Sequence, residues 1–123
     1  MSAQPVDLQT ESGAVSGLVQ PTPHGPVAAF LGVPYGTPVR FRRAERVVPW
    51  RGSRAATSFG PMAPQQSLVD GSILGDETGC LSVNVWRPEP IGEVLPMMVW
   101  LHGGGFAYGS NAQPGTSGTR LAA

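Results

Sequence analysis

The 123-residue sequence has a single cysteine, Cys80, so an intramolecular disulfide is excluded. Charged residues make up only 13% of the chain, against about 25% in an average globular protein, and the net charge is zero. This balance gives no whole-chain electrostatic reason to bind nucleic acid or an anionic membrane. No apolar run approaches the roughly 20 residues that a membrane span needs. We therefore expect neither nucleic acid nor a membrane as a partner.

Targeting and metal-binding signals are also missing. Residues 1–8 lack the basic region and the apolar core of a secretory signal peptide, which predicts a cytoplasmic protein. No His, Cys, Asp and Glu residues have the spacing of metal ligands, so we expect neither a metal nor a cofactor. Cys80 lacks the basic or helix-N-terminal setting of a reactive thiol. Its apolar flank predicts a buried structural thiol instead.

What the sequence does contain is an ordered but loop-rich set of strands, with 17 glycines and 13 prolines. Alternating and apolar runs predict strands over residues 6–10, 13–19, 27–33, 81–86 and 94–101. The first two form a pair joined by a turn, and the last is apolar enough to be buried on both faces. Between them, residues 37–60 predict a long loop, with Trp50 and Phe59 as its anchors.

Covering layers for this sheet are hard to find in the sequence. A sheet that is buried on both faces needs helices or another sheet against it. No segment has a convincing helical period, and residues 120–123 only begin one. The pattern therefore predicts the strand-rich part of an α/β domain, with an incomplete sheet.

Basic side chains cluster in the long loop, and two interpretations of them are open. The cluster is either a solvated loop with one or two structural ion pairs, or a patch for phosphate or an acidic partner. The lack of an aromatic stacking pattern favours the solvated loop. The residues are Arg40, Arg42, Arg43, Arg46, Arg51 and Arg54.

The strongest chemical signal is the segment His102-Gly103-Gly104-Gly105-Phe106 after the last apolar run. Glycines can adopt positive φ and approach a substrate closely, so adjacent N–H groups can point at one developing oxyanion. The alternative is a glycine-rich connection without a catalytic task. His102 precedes any possible nucleophile, so we expect it to shape the turn rather than act as a base. His24 is expected in an exposed loop.

A nucleophile is not evident in this chain. Gly115-Thr116-Ser117-Gly118-Thr119 begins like a nucleophile elbow but has threonine in place of the closing glycine. An elbow also needs a strand before it and a helix after it, and residues 111–114 do not predict a strand. Ser117 is therefore expected to lie in a surface loop.

Several motifs together resemble the type-B carboxylesterase family, which includes bacterial para-nitrobenzyl esterases and the cholinesterases. The resemblance covers nearly the whole chain, and its motifs stand in the family's order. They are Gly13–Gly17, Phe30–Gly36, Arg40-Phe41, Pro49–Gly52, Ala56–Pro61, Cys80–Val85, and the HGGGF turn with Gly109.

This resemblance implies an α/β-hydrolase fold in which residues 1–123 form a truncated N-terminal segment. By position in the motif, Gly104 and Gly105 would supply oxyanion-hole N–H groups and Gly103 would shape the turn. Phe106 and Tyr108 either line the mouth of the substrate pocket or serve packing. The family hydrolyses carboxylic esters through an acyl-serine. The nucleophile, acid and base would lie in the missing C-terminal part, so the chain alone would be inactive. A non-catalytic binding or adhesion relative and one half of a split enzyme are the alternatives.

Two departures from the family pattern carry further expectations. Thr78-Gly79 replaces the acidic pair before the cysteine motif, so Glu77 becomes the candidate partner of Arg40. In secreted members the motif cysteine is bridged to an earlier cysteine, whose place is taken here by Ala63. The resemblance therefore also fits a reduced, intracellular protein.

Overall fold

A hairpin opens the sheet. The computed structural model describes residues 4–113 and 115–123, and in it β1 (Gln4–Thr10) and β2 (Gly13–Gln20) run antiparallel. The Thr10 side chain closes the turn between them. Its hydroxyl donates to the Gly13 carbonyl at 2.7 Å and accepts from the Ser12 N–H at 3.2 Å. The predicted strand pair is confirmed, and both strands are slightly longer than expected.

Three further strands extend this hairpin. The strand β3 (Val27–Pro34) pairs antiparallel with β2, and β4 (Ser53–Ala55) pairs parallel with the start of β2. A separate two-stranded sheet is formed by β5 (Gln65–Gln66) and β6 (Ile73–Leu74). The last strand, β7 (Ser82–Pro88), pairs antiparallel with β3, which gives the order β1-β2-β3-β7. The strands predicted over 27–33 and 81–86 are confirmed.

The core centres on β3, where residues 27–30 are all buried. Phe30 is fully buried with Val15, Ala28 and Ala56 around it. Trp50 packs against this cluster, and its indole N–H donates to the Ala14 carbonyl at 2.8 Å. Its predicted role as an anchor of the long loop is therefore confirmed.

The other predicted anchor of the long loop is not buried. Phe59 is 44% exposed, so that prediction is wrong. Backbone contacts hold this part of the loop instead, because the Leu31 N–H donates to the Ala56 carbonyl at 2.8 Å. Short β4 and this contact together attach the loop to the sheet.

The predicted buried strand over residues 94–101 is absent from the structure. The segment makes no ladder in the described part of the chain, and its large apolar side chains are exposed, from 41% at Leu95 to 100% at Val94. A strand is defined by its pairing, and no described strand lies beside this segment. Its apolar character is real, but no described residues cover it.

Helices contribute little to the described residues. One 3₁₀ helix, Gly118–Arg120, shares only Arg120 with residues 120–123, where the sequence predicts the beginning of a helix. No described helix is long and apolar enough to span a membrane.

Candidate functional site

The glycine turn is closed by its own backbone. The Gly104 carbonyl accepts from the Ala107 N–H at 3.0 Å and from the Tyr108 N–H at 3.2 Å. Gly105 and Phe106 both adopt left-handed backbone, with φ of 59° and 60°. This conformation is uncommon for a residue with a bulky side chain. The turn therefore holds its apex in a backbone geometry that glycine reaches without cost and phenylalanine does not.

Two glycines allow the two limbs of this turn, one leading into Gly104 and the other ending at Gly109, to touch. A Cβ atom on Gly104 would overlap the Tyr108 carbonyl oxygen. A Cβ atom on Gly109 would lie 2.5 Å from the Gly103 carbonyl oxygen and 2.6 Å from His102 Nδ1. Both positions also have positive φ, at 131° and 115°. Any side chain at either position would therefore push the two limbs apart.

The predicted oxyanion donors have free N–H groups in the described part of the chain. Neither Gly104 nor Gly105 donates a hydrogen bond to another described residue. Gly103 and Gly105 are exposed, and Gly104 is half-buried. Phe106 is fully exposed and lies against no pocket wall. Both N–H groups are therefore available to an acceptor outside the described residues, which the sequence prediction of an oxyanion hole requires.

His102 turns toward its own loop. Its Nδ1 lies 2.8 Å from the Gly103 carbonyl oxygen, to which it donates in the tautomer protonated at Nδ1. The ring therefore braces the limb of the turn that precedes Gly104. This contact fits the predicted role of shaping the turn.

An amide side chain that sequence reasoning missed holds the far limb of the turn. Gln65 Nε2 donates to the Gly109 carbonyl at 2.9 Å, and its Oε1 accepts from the Gly109 N–H at 2.8 Å. Gln65 stands on β5, 44 residues earlier in the chain. A lone glutamine in a loop-rich region gives no sequence signal for this contact.

Two asparagines attach the next residues to the sheet. Asn84 Oδ1 accepts from the Gly32 N–H at 2.9 Å, where the β3–β7 register shifts. Its Nδ2 donates to the Asn111 carbonyl at 3.0 Å, and Asn111 Nδ2 donates back to the Ser82 carbonyl at 2.8 Å. No sequence signal marked Asn84 for this role, because a polar residue is ordinary at its place in the alternating run of residues 81–86.

The remaining nucleophilic side chains lie in ordinary structural settings. Ser117 caps the 3₁₀ helix, where its Oγ accepts from the Thr119 N–H at 3.3 Å, and its own φ is −64°. It therefore lacks the strained geometry of a nucleophile elbow. Cys80 is a free thiol that donates to the Glu77 carbonyl at 3.3 Å. It is half-buried, so the prediction of a buried thiol is too strong, and its neighbours Thr78 and Gly79 are exposed.

Charged side chains lie mostly at the surface. Arg40 Nε is 3.4 Å from Glu77 Oε2, which confirms Glu77 as the substitute partner. All six arginines of the basic cluster are exposed, as in a solvated loop, and His24 is exposed as predicted. Hydrogen bonds from Ser67 and Ser72 lower the pKa of Asp70, in the loop between β5 and β6. The described residues contain no group of three potential metal ligands.

An open groove of about 300 Å³ lies beside the far limb of the turn. Its walls combine the β5–β6 hairpin with the segment that follows the glycines. Apolar side chains supply much of the wall, including Met62, Leu68, Val69 and Leu74. Tyr108 and Gly109 form the side toward the turn.

Comparison with known proteins gives consistent matches over this whole region. A family model described as the carboxylesterase family matches residues 4–123. Acetylcholinesterase of Bungarus fasciatus is 37% identical over 84% of this chain and 19% of its own length. Fumonisin B1 esterase of Sphingopyxis macrogoltabida is 38% identical over 92% of this chain and 21% of its own length. A solved PNB esterase superposes with a TM-score of 0.78 and 38% identity, covering 95% of this chain and 24% of that one. The chain thus spans about a fifth to a quarter of the length of these relatives.

Proposed function

The chain belongs to the carboxylesterase family and has the strand-rich N-terminal part of an α/β-hydrolase fold, and from this premise we propose that it carries the oxyanion-hole segment of a serine-type carboxylic ester hydrolase. The glycine turn is the observation that supports the proposal. Its Gly104 and Gly105 N–H groups are adjacent and free of described protein acceptors. A turn of this kind has a clear use in acyl transfer, because its backbone can donate to a developing oxyanion.

In this proposal the turn acts on the carbonyl oxygen of a small-molecule carboxylic ester. Attack by a serine hydroxyl on the ester carbon moves negative charge onto that oxygen. The Gly104 and Gly105 N–H groups donate to it, and Gly103 shapes the turn that aims them. Removal of one such preorganised donor costs about 3–4 kcal/mol of transition-state stabilisation. The residue after the serine supplies a further donor.

The nucleophile, the acid and the base lie outside these 123 residues in this proposal. The capping role of Ser117 and the exposed position of His102 support this division. The chain by itself then hydrolyses no ester, and it requires the C-terminal part of the domain as its partner. Phe106, fully exposed at the apex, becomes a wall of the substrate site when that part is present. The free thiol of Cys80 supports a reducing, cytoplasmic setting.

A chimaera tests the proposal. Residues 1–123 of this chain replace the corresponding segment of the solved PNB esterase, and hydrolysis of p-nitrophenyl acetate is measured. We expect the chimaera to turn over the ester and the isolated chain to show no serine-dependent turnover. In the chimaera, Gly105→Ala disturbs a donor at φ of 59°, and we expect kcat to fall about 10²- to 10³-fold.

The matched control is Gly92→Ala, where a Cβ atom meets nothing within 4 Å. This variant should keep the kcat of the chimaera. Equal kcat in the Gly105→Ala and Gly92→Ala chimaeras would show that the turn is not the oxyanion hole. Covalent labelling of Ser117 by a serine-hydrolase inhibitor in the isolated chain would contradict the division of the site.

A further inference from the structure

The Gln65 side chain binds one residue, Gly109, through both polar groups of its amide. Its Nε2 donates to the Gly109 carbonyl, and its Oε1 accepts from the Gly109 N–H, at 2.9 and 2.8 Å. Both contacts go to the same residue, so they fix its orientation as well as its position. Gln65 is half-buried, which limits competition from water for these bonds.

Gly109 in turn sets the position of the limb that leads into Gly104. The site of its absent Cβ lies 2.5 Å from the Gly103 carbonyl oxygen and 2.6 Å from His102 Nδ1. The backbone of Gly109 therefore packs directly on the residues that lead into Gly104. A shift of Gly109 by a few tenths of an ångström has to be taken up by that limb.

The other end of Gln65 is firmly placed. Its backbone pairs with Leu74 in the β5–β6 hairpin. The side-chain amide is held as well, because Nε2 also donates to the Ala63 carbonyl at 3.0 Å. The adjacent Gln66 has a different task, because its Nε2 donates to Gly71 within the same hairpin at 3.2 Å. Two neighbouring glutamines thus differ in one respect that matters here: only Gln65 reaches the glycine turn.

We propose that Gln65 is a positioning residue, which fixes the geometry of the oxyanion turn by clamping Gly109 at both its N–H and its carbonyl. The catalytic importance of this clamp rests on the proposed function, whereas the two hydrogen bonds to Gly109 belong to this chain whatever its function. The role needs a neutral amide, because the side chain must donate and accept at once. A carboxylate in its place would accept from the N–H and repel the carbonyl.

Nuclear magnetic resonance of the full 123-residue chain tests the clamp without any catalytic readout. In Gln65→Leu we expect the Gly109 amide to exchange with solvent at least about tenfold faster, because it loses its acceptor. The amide signals of Gly103, Gly104 and Gly105 should shift, while those of β1 to β3 stay in place. Gln66→Leu is the matched control and should leave all four glycine signals unchanged.

A second variant tests the clamp if Gln65→Leu also disturbs the sheet. In Gln65→Glu, the protonated acid can donate to the Gly109 carbonyl and accept from its N–H, whereas the carboxylate can only accept. The wild-type glycine signals should therefore return as the pH falls through the pKa of the introduced carboxyl group. His102 and Asp70, the ionisable neighbours of the turn and of the hairpin, are the same in both proteins. Their effects cancel when the wild-type pH series is subtracted.

Three results would overturn the clamp. The first is a Gln65→Leu variant whose glycine signals and Gly109 exchange rate equal those of the wild type. The second is a Gln65→Glu variant whose glycine signals do not change with pH. The third is a wild-type Gly109 amide that exchanges as fast as the Gly92 amide. An inactive chimaera would refute the proposed function and leave these signals as they are. Conversely, an active chimaera without the glycine shifts would refute only the clamp.

Discussion

Residues 4–88 and residues 89–123 are held in different ways. The first region has a strand ladder and a core around Phe30. The second region has no ladder among its described residues, and most of its apolar side chains are exposed. Side-chain amides of Gln65, Asn84 and Asn111 attach it to the first region. The Glu89 N–H, which donates to the Pro26 carbonyl, and the Arg87–Glu89 ion pair also join the two regions near residue 89.

This difference shows how the fold separates stability from chemistry. Apolar burial scales with area and tolerates small displacements, whereas hydrogen bonds fix direction. The sheet supplies a stable body, and the amides place the glycine turn relative to it. A substitution in one region should therefore affect a different observable from a substitution in the other.

The largest effect is expected in the core of the first region. Phe30→Ala removes a fully buried ring, and we expect the free energy of unfolding to fall by about 3–5 kcal/mol. Urea denaturation followed by tryptophan fluorescence measures it. Val94→Ala, at a fully exposed position in the second region, is the control and should cost little. Equal losses in the two variants would refute the contrast between the regions.

A smaller effect separates two tryptophans. Trp50→Phe keeps an aromatic ring but loses the donor to the Ala14 carbonyl, so we expect a loss of about 1 kcal/mol. The same change at Trp100, which is 67% exposed, should leave the free energy of unfolding unchanged. Circular dichroism during urea denaturation compares them, since it does not depend on indole emission. A larger loss at Trp100 would mean that residues 94–101 are packed in solution.

The attachment between the regions is tested by Asn84→Asp. The aspartate can still accept from the Gly32 N–H, but it cannot donate to the Asn111 carbonyl. Hydrogen exchange should therefore quicken around residues 109–113 and stay slow around Gly32. We expect a stability loss of about 1 kcal/mol, the net value of one hydrogen bond. Faster exchange throughout β3 would show that Asn84 supports the sheet rather than the attachment.

Local sequence patterns predicted the elements that carry an alternating or apolar run of their own, including Ser82–Pro88, whose partner strand lies far away in the chain. The hairpin of residues 4–20 and the strands at Val27–Pro34 and Ser82–Pro88 follow from alternation and turn residues. The three-residue β4 was missed because its exposed residues carry no apolar pattern and its partner is distant. Residues 94–101 have the composition of a buried strand, but burial depends on neighbours that composition does not contain.

For the candidate site, sequence patterns predicted the glycine turn but not the side chains that hold it in place. Three successive glycines after an apolar run mark the turn itself, because positive φ is a local requirement. Gln65 and Gly109 meet across 44 residues, and nothing local distinguishes Gln65 from Gln66. The Arg40–Glu77 pair could be named in advance because the position of the replaced acid in the family motif pointed to it.

We expect the Arg40–Glu77 ion pair to contribute the least to the free energy of unfolding, because it lies at the surface of the first region. The Arg40 and Glu77 side chains are 70% and 42% exposed, so water and salt screen their attraction. We expect Glu77→Gln to lower the free energy of unfolding by less than about 1 kcal/mol, with the difference vanishing at high salt. A double-mutant cycle with Arg40→Ala, measured at low and high ionic strength, isolates the pair. Glu93→Gln, an exposed acid of the second region, is the control. A coupling that survives high salt would mean that the pair is buried in solution and contributes to the sheet as Phe30 does.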